Sequence, residues 1–301
     1  MTSADKVFRS GYATILGKPN AGKSTLMNAL VGMKIAIVSD KPQTTRDRIG
    51  GILTGDDYQI VFVDTPGVIV PRDRLNEALM ARVDEAIEHV DVLLHLVDAT
   101  DPEPPNERLA ALLARARCRA RLLVLNKTDL LGRDRQDRLP PGLDAGAYAA
   151  TVRVSALRRS GLDELVAAIV RHLPPGPLYF DPEQLSDRDE RFFAAEAVRE
   201  KVFLHLQQEV PYAVYTEVDT FEERPQKDFI RIIIHVEHES QKGIVIGEGG
   251  RTLKRIGREA REEIEALTGR PAYLELWVKV RKNWRRREPD LARFGFKKPK
   301  R

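Results

Sequence analysis

Gly17-Lys18-Pro19-Asn20-Ala21-Gly22-Lys23-Ser24-Thr25 follows the apolar run 12–16 and precedes the helix-like stretch 26–31. The spacing is G-x-x-x-x-G-K-S, set between a strand and a helix N-terminus. In that setting successive backbone N–H groups curl around the α- and β-phosphates of a nucleotide, and the helix dipole adds favourable potential for the anion. Lys23 is placed to reach the β- and γ-phosphates, and Ser24 to offer a hydroxyl to Mg²⁺. A plain glycine turn between a core strand and a core helix is the competing reading, and the motifs that follow weigh against it.

Residues 34–48 are polar and lack a helical period, and they end in Gln43-Thr44-Thr45-Arg46-Asp47-Arg48. Such a loop beside a phosphate site suits a switch that orders around the γ-phosphate. Thr44 or Thr45 would then give Mg²⁺ its second hydroxyl, with Thr45 favoured; an idle surface loop is the alternative. Residues 49–53 and 59–63 predict a strand pair joined through 55–57, and Asp64-Thr65-Pro66-Gly67 closes the second strand. A carboxylate at the C-terminal end of a buried strand lies where α/β sheets bind ligands. Asp64 is expected to hold Mg²⁺ through water, and the Gly67 N–H to contact the γ-phosphate.

A further strand is predicted at 90–97, with His95 as a satisfied core residue, then a helix at 107–116. A strand at 121–125 delivers Asn126-Lys127-Thr128-Asp129. The Asp129 carboxylate can accept from both N1–H and N2–H of guanine, a pair that adenine does not offer. The Asn126 amide can bond the base edge and the Lys127 stem can lie over the ring. Ser155-Ala156-Leu157 follows a short strand, and its backbone N–H groups could cap guanine O6. A helix over 161–172 closes this part of the chain.

Taken together, G-x-x-x-x-G-K-S, D-x-P-G, N-K-x-D and S-A-L stand in the chain order of the translation-factor-like GTPases, which this part of the chain resembles. The resemblance implies that Lys23 and Thr45 serve catalysis. It also exposes a departure. Val68 stands where Ras-like proteins carry a glutamine that orients the attacking water, and an apolar side chain cannot do that. Slow intrinsic hydrolysis is expected, unless another group or a partner positions the water. In related GTPases an asparagine at the place of Asn20 helps hold K⁺ against the phosphates, so K⁺ is a candidate cofactor beside GTP/GDP and Mg²⁺.

Four prolines and a glycine within 173–182 predict a stiff linker. Beyond it come a helical stripe (189–208), two alternating strands (213–221 and 229–237), and a last strand at 272–280. Between the strands lies Ile246-Gly247-Glu248-Gly249-Gly250, a G-x-x-G flanked by helical segments, with Lys254 and Arg255 one turn on. Glycines without side chains let a nucleic-acid backbone approach closely, beside a groove for about four unpaired nucleotides. A simple helix–helix turn is the alternative. Trp277 is expected in the core. Trp284 is expected either to stack on a base or to lie against the domain.

Length and charge agree with two domains. At 301 residues, of which 42% are apolar, the chain suits about two packed cores. It has no run of about 18 apolar residues and no leader-like N-terminus, so a cytoplasmic protein is expected. A single cysteine, Cys118, excludes an internal disulfide and a multi-cysteine zinc site. Residues 281–301 hold ten Lys/Arg against Glu288 and Asp290, a charge of +8, which leaves −4 for the rest of a chain of net +4. A basic end on an acidic body suits a polyanion, either nucleic acid or an anionic membrane face; a solvated tail is the plainer reading.

The whole arrangement resembles the bacterial Era GTPases. The match includes Gln43-Thr44-Thr45-Arg46, the proline-rich linker, residues 245–257 and Glu275-Leu276-Trp277-Val278-Lys279-Val280. It implies an α/β protein: a P-loop GTPase domain (1–173) with a mostly parallel sheet and helices on both faces, a linker (174–188), a smaller α+β type II KH domain (189–282) and a basic tail (283–301). It further implies binding of the 3′ end of 16S ribosomal RNA, with Arg281, Lys282 and Trp284 beside the G-x-x-G loop, and a role in 30S subunit maturation. Part-time peripheral association with the inner membrane is also implied, and a monomer is expected. Rival readings are an RNA-binding module in which nucleotide is structural, and a P-loop ATPase or kinase, against which N-K-x-D argues.

Overall fold

β1 (Arg9–Leu16) is buried along most of its length and is paired along both its edges. It runs parallel to β3 (Tyr58–Asp64) on one side and to β4 (Val92–Asp98) on the other. β2 (Ile49–Thr54) lies antiparallel along β3, while β5 (Ala120–Asn126) and β6 (Ala150–Arg153) extend the sheet in parallel beyond β4. The order of this six-stranded sheet is β2-β3-β1-β4-β5-β6. The connecting helices are α1 (Lys23–Val31), α2 (Arg74–Glu88), α3 (Glu107–Arg115) and α4 (Leu162–His172). Parallel pairing brings the C-terminal ends of β1, β3, β4, β5 and β6 to one edge, where α/β sheets bind ligands. In this computed structural model residues 7–39, 41, 44–88, 90–101, 103–132, 139, 140 and 142–296 are described. Pro42 and Gln43 of the first loop, and Lys297, Lys298, Lys300 and Arg301 of the basic end, lie outside them.

By internal contacts the chain forms two units: Met1–Ala36, Thr45–Pro71 and Leu79–Asp187, and Ile37–Thr44, Arg72–Ala78 and Arg188–Arg301. The proline-rich segment, expected as a stiff linker, is bonded through its backbone to the first unit. Pro174 accepts from the Ser10 N–H, Leu185 accepts from the Ile52 N–H, and Asp187 donates to the Gly50 carbonyl. The Gln59 side chain takes the N–H groups of Tyr179 and Phe180. Proline density forbids a regular ladder there, but its carbonyls still accept.

The second unit contains α5 (Glu190–His205), α6 (Val210–Ala213), β7 (Tyr215–Glu222), β8 (Asp228–Val236), α7 (Glu239–Ile246), α8 (Arg251–Thr268) and β9 (Ala272–Val280). β8 pairs antiparallel with β7 and parallel with β9. Ile230, Ile232, Ile234 and Val236 face a core made with Val198 and Val202 of α5 and Ile256, Ala260 and Ile264 of α8. This order of helices and strands is that of a type II KH fold. Within the unit, Arg199 donates to the Thr44 carbonyl, and Lys41 to the carbonyls of Phe203 and Leu206.

Two expectations are corrected here. Period 2 puts the even-numbered residues of β9 on the core, so Trp277 faces outward and is 43% exposed. The stretch expected as a basic tail folds from Trp284 onward. It forms α9 (Glu288–Arg293), and Phe294 stacks on Tyr215 with centroids 3.9 Å apart.

Candidate functional site

At the end of β1 the glycines of the phosphate loop are dictated by space. A Cβ on Gly17 would stand 2.4 Å from the Leu96 carbonyl oxygen, and Gly22, at φ +94°, would place one 2.3 Å from the Asn126 amide. Asn20 is exposed at the crest of the loop with φ 63°. Lys23 is buried, and its Nζ donates to the carbonyls of Lys18 at 3.0 Å and Gly17 at 3.3 Å. Burial lowers its pKa to about 8, against the opposing charge of Asp64. Lys18 is drawn aside into an ion pair with Asp101 at 2.8 Å. Pro19 packs near Gly67, where a Cβ would lie 3.2 Å from its ring. Ala21 is buried, and Thr25 is half-buried within α1.

Ser24, Thr45 and Asp64 converge from three separate parts of the chain. Ser24 Oγ lies 3.0 Å from Thr45 Oγ1, and both hydroxyls donate to Asp64 Oδ2, at 3.0 and 3.1 Å. Thr45, rather than Thr44, therefore stands at this cluster. Asp64 Oδ1 is buried with no hydrogen-bond partner. Burial raises the Asp64 pKa, although Lys23 and the two hydroxyls pull it down. Three hard oxygen donors, one of them an unsatisfied carboxylate oxygen, fit Mg²⁺. Thr65 turns away to bond the Ile15 carbonyl at 2.9 Å, and Pro66 is buried. Val68 is 1% exposed, packed in the core and unable to hold a water.

The base-recognition loops depart from expectation at Asn126. Its Nδ2 donates to the Ala21 carbonyl at 2.9 Å, and its Oδ1 accepts from the Ala156 N–H at 3.0 Å. Both ends of the amide thus tie the phosphate loop to the Ser155-Ala156-Leu157 turn, which adds a positioning role to Asn126, and the second N–H of its Nδ2 is left for a base edge. The Ser155 N–H goes to the Ser160 carbonyl at 3.0 Å, so of the three N–H groups expected at guanine O6 two are already engaged. Asp129 is exposed and is held by the Ser155 hydroxyl at 2.5 Å. Leu157 is 73% exposed. Lys127, at φ 63°, pairs through Nζ with Asp98 Oδ2 at 2.6 Å. Burial works against the Asp98 charge, but hydrogen bonds from Lys127 and Thr100 outweigh it and hold its pKa below the usual range. Asp98 and the Ser155 hydroxyl were not foreseen in these positioning roles. The position of Asp98 at the end of a buried strand was the available signal.

In the second unit Ile246 ends α7, and Gly247, Glu248, Gly249 and Gly250 form the turn into α8. Gly247, Gly249 and Gly250 have φ of 70°, 59° and 77°. A Cβ on Gly249 or Gly250 would meet nothing within 4 Å, so the loop is open on that side. Glu248 pairs with Arg251, which removes part of its repulsion for a phosphate. Lys254 and Arg255 are exposed on the next turn, Arg255 paired with Glu259 at 3.0 Å. Three residues expected beside this loop are differently used. Trp284 is fully buried and donates Nε1–H to the Ala213 carbonyl at 2.8 Å, so it does not stack on a base. Arg281 pairs with buried Asp290 and lies 5.6 Å over the Phe294 ring, which anchors α9. Lys282 alone of the three is exposed.

The fold and sites define a P-loop GTPase joined to a KH domain. The profile of the 50S ribosome-binding GTPases matches residues 12–127, and that of the KH domain matches residues 209–285. GTPase Era of Geobacter metallireducens is 45% identical over 297 residues, covering 97% of this chain and 99% of that one. GTPase Era of Carboxydothermus hydrogenoformans is 42% identical over 293 residues, covering 96% and 98%. The chain belongs to the Era family of GTPases. Among solved structures, an Aquifex aeolicus Era variant bound to GDP·AlF₄⁻ aligns with TM-score 0.90 at 36% identity, over 96% of this chain and 99% of that one. An Era complex with MgGDPNP and nucleotides 1506–1542 of 16S ribosomal RNA aligns with TM-score 0.89 at 36% identity and the same coverage.

Proposed function

We propose that this GTPase, in its GTP-bound form, takes the unpaired 3′ end of 16S ribosomal RNA on the loop 246–250 and so assists 30S subunit maturation. One observation carries the first half of this reading: Ser24, Thr45 and the unsatisfied Asp64 carboxylate meet beside a glycine-built phosphate cradle. Ser24 and Thr45 would hold Mg²⁺ directly and Asp64 through water, and the ion would neutralise charge on the β- and γ-phosphate oxygens. Lys23 would leave the Gly17 and Lys18 carbonyls for those oxygens, and Asp129 would select guanine. Thr45 follows directly on residues 37–44, which group with the KH unit. Ordering of Thr45 around a γ-phosphate is thereby linked along the chain to the RNA-binding half. The related Era complex that holds both MgGDPNP and 16S RNA supports the second half.

Hydrolysis is inferred to be slow without a partner, since Val68 is apolar and buried and offers no group to orient a water. Asn20, exposed on the loop crest, is the candidate to hold K⁺ beside the phosphates. Among the described residues no helix is long and apolar enough to cross a membrane, so the proposed membrane association is peripheral.

The test is binding of a fluorescent oligonucleotide copying the small-subunit RNA 3′ end, against a scrambled one of equal length, with a GTP analogue present. Preference for the authentic sequence, lost by at least about tenfold on Gly250→Asp, is expected. Equal binding of both sequences would contradict the reading. Anionic liposomes serve the membrane arm: no co-sedimentation would remove it.

A further inference from the structure

The outer face of the KH sheet is divided in two. Over Tyr215 and His235 it is closed by the chain's own Phe294, with Trp284 and Phe296 packed alongside. The other half carries rings and cations instead. Odd-numbered residues of β8 and β9 face outward, so Phe229 pairs with Tyr273 in register and their rings stack at 5.9 Å, 14° from parallel. Four residues along β9, about 13 Å at ~3.3 Å per residue, stands Trp277. Tyr273 is 51% exposed and Trp277 is 43% exposed.

Cations sit over these rings. Arg231 lies 4.8 Å from the Trp277 centroid and 5.3 Å from that of Phe229. Lys279 is 5.3 Å from Trp277, Lys227 is 5.5 Å from Tyr273, and Arg224 is 4.6 Å from Phe229. Carboxylates are present too. Glu275 pairs with Arg231 at 2.7 Å and accepts from Trp277 Nε1 at 3.0 Å, Asp219 lies 3.5 Å from Arg231, and Glu222 pairs with Arg224. Among the described residues Lys227 and Lys279 form no ion pair, so their charge remains available to a phosphate.

We propose that this open half of the sheet is a second RNA-contact surface, on which unpaired bases stack upon Trp277 and Tyr273 while Lys227 and Lys279 meet the flanking phosphates. Exposed rings on a sheet face, interleaved with cations, are the elements of a base-stacking platform. A cross-strand aromatic ladder that only stabilises the sheet would have no use for unpaired lysines above the rings. The proposal rests on the RNA-binding reading above and adds a site apart from the G-x-x-G loop. Its occupant is single-stranded RNA extending beyond the roughly four nucleotides that a KH groove holds.

The chain has two tryptophans, and Trp284 is fully buried. Emission that acrylamide reaches in the full-length protein therefore comes from Trp277. Saturation with a twelve-nucleotide copy of the small-subunit RNA 3′ end, with a GTP analogue, is expected to quench this emission and shield it from acrylamide. Trp277→Ala is expected to weaken the twelve-mer about tenfold, a typical loss for one stacked base, while Trp277→Phe retains most of the affinity. Unchanged emission and accessibility in the RNA complex would overturn the proposal without depending on any variant. Full affinity in Trp277→Ala would likewise overturn it, and would leave binding at the G-x-x-G loop standing. Failure of the unaltered chain to bind RNA at all would bring down both readings.

Discussion

Lys23 joins burial to nucleotide chemistry in one side chain. An unfolded lysine titrates near 10.5, whereas in the fold Lys23 titrates at about 8. Between those values the unfolded chain holds more protons, so the nucleotide-free protein should gain stability as pH rises from about 8 to 10.5. Thermal melts across that range should show the gain, and Lys23→Met should flatten it. A triphosphate favours the charged amine, so binding above about pH 8 should take up a proton and weaken with rising pH. Calorimetry in buffers of different ionisation enthalpy measures that uptake. Asp129→Asn removes a charged double acceptor, with an expected loss of ~3–5 kcal/mol in GTP affinity and little change for ATP. Thr45→Val should cut Mg²⁺-dependent hydrolysis at least about tenfold, and Thr44→Val should not; equal effects would remove the assignment. If Asn20 holds K⁺, hydrolysis rises when K⁺ replaces Na⁺ and Asn20→Ala abolishes the rise. At this scale the meeting of Ser24, Thr45 and Asp64 was legible, because motif spacing places Ser24 at the start of a helix, Asp64 at the end of a strand and Thr45 in the loop between them. The partners that Asn126 bonds and the facing of the tryptophans were not, since both depend on tertiary contacts that no local pattern encodes.

Among the elements, the strands of the large sheet were readable from their apolar runs, and β9 was placed to the residue. α2 was overlooked although Leu75, Leu79, Val83 and Ile87 are buried at helical spacing; its polar flanks hid the period. The proline-rich segment was read as a spacer because proline density predicts stiffness and says nothing of what the backbone will lie against. Ser186 Oγ donates to the Gly50 carbonyl at 2.8 Å in a buried position. Ser186→Ala should therefore cost ~1 kcal/mol, seen in denaturant unfolding as a lower midpoint with an unchanged slope. An effect near zero would mean that the segment is held by its backbone bonds alone. The end of the chain shows the converse error. Its charge was legible, but Phe294, Leu291 and Phe296, which fold it onto the sheet, are too few to announce a helix.

For the whole molecule, motif order and domain order together identified the family, and the two units each reproduce the expected architecture. Coupling between nucleotide and RNA, as proposed above, would be a property of the complete chain. Thermodynamic linkage requires that whatever factor GTP adds to RNA affinity, RNA adds to GTP affinity. The most direct measurement is the affinity of the intact protein for the small-subunit RNA 3′ end with GDP, with a non-hydrolysable GTP analogue, and with no nucleotide. Clearly tighter binding, by about tenfold or more, is expected with the analogue than in the other two conditions. Equal affinity in all three would contradict the proposal, leaving a GTPase and an RNA-binding domain that share a chain without coupling.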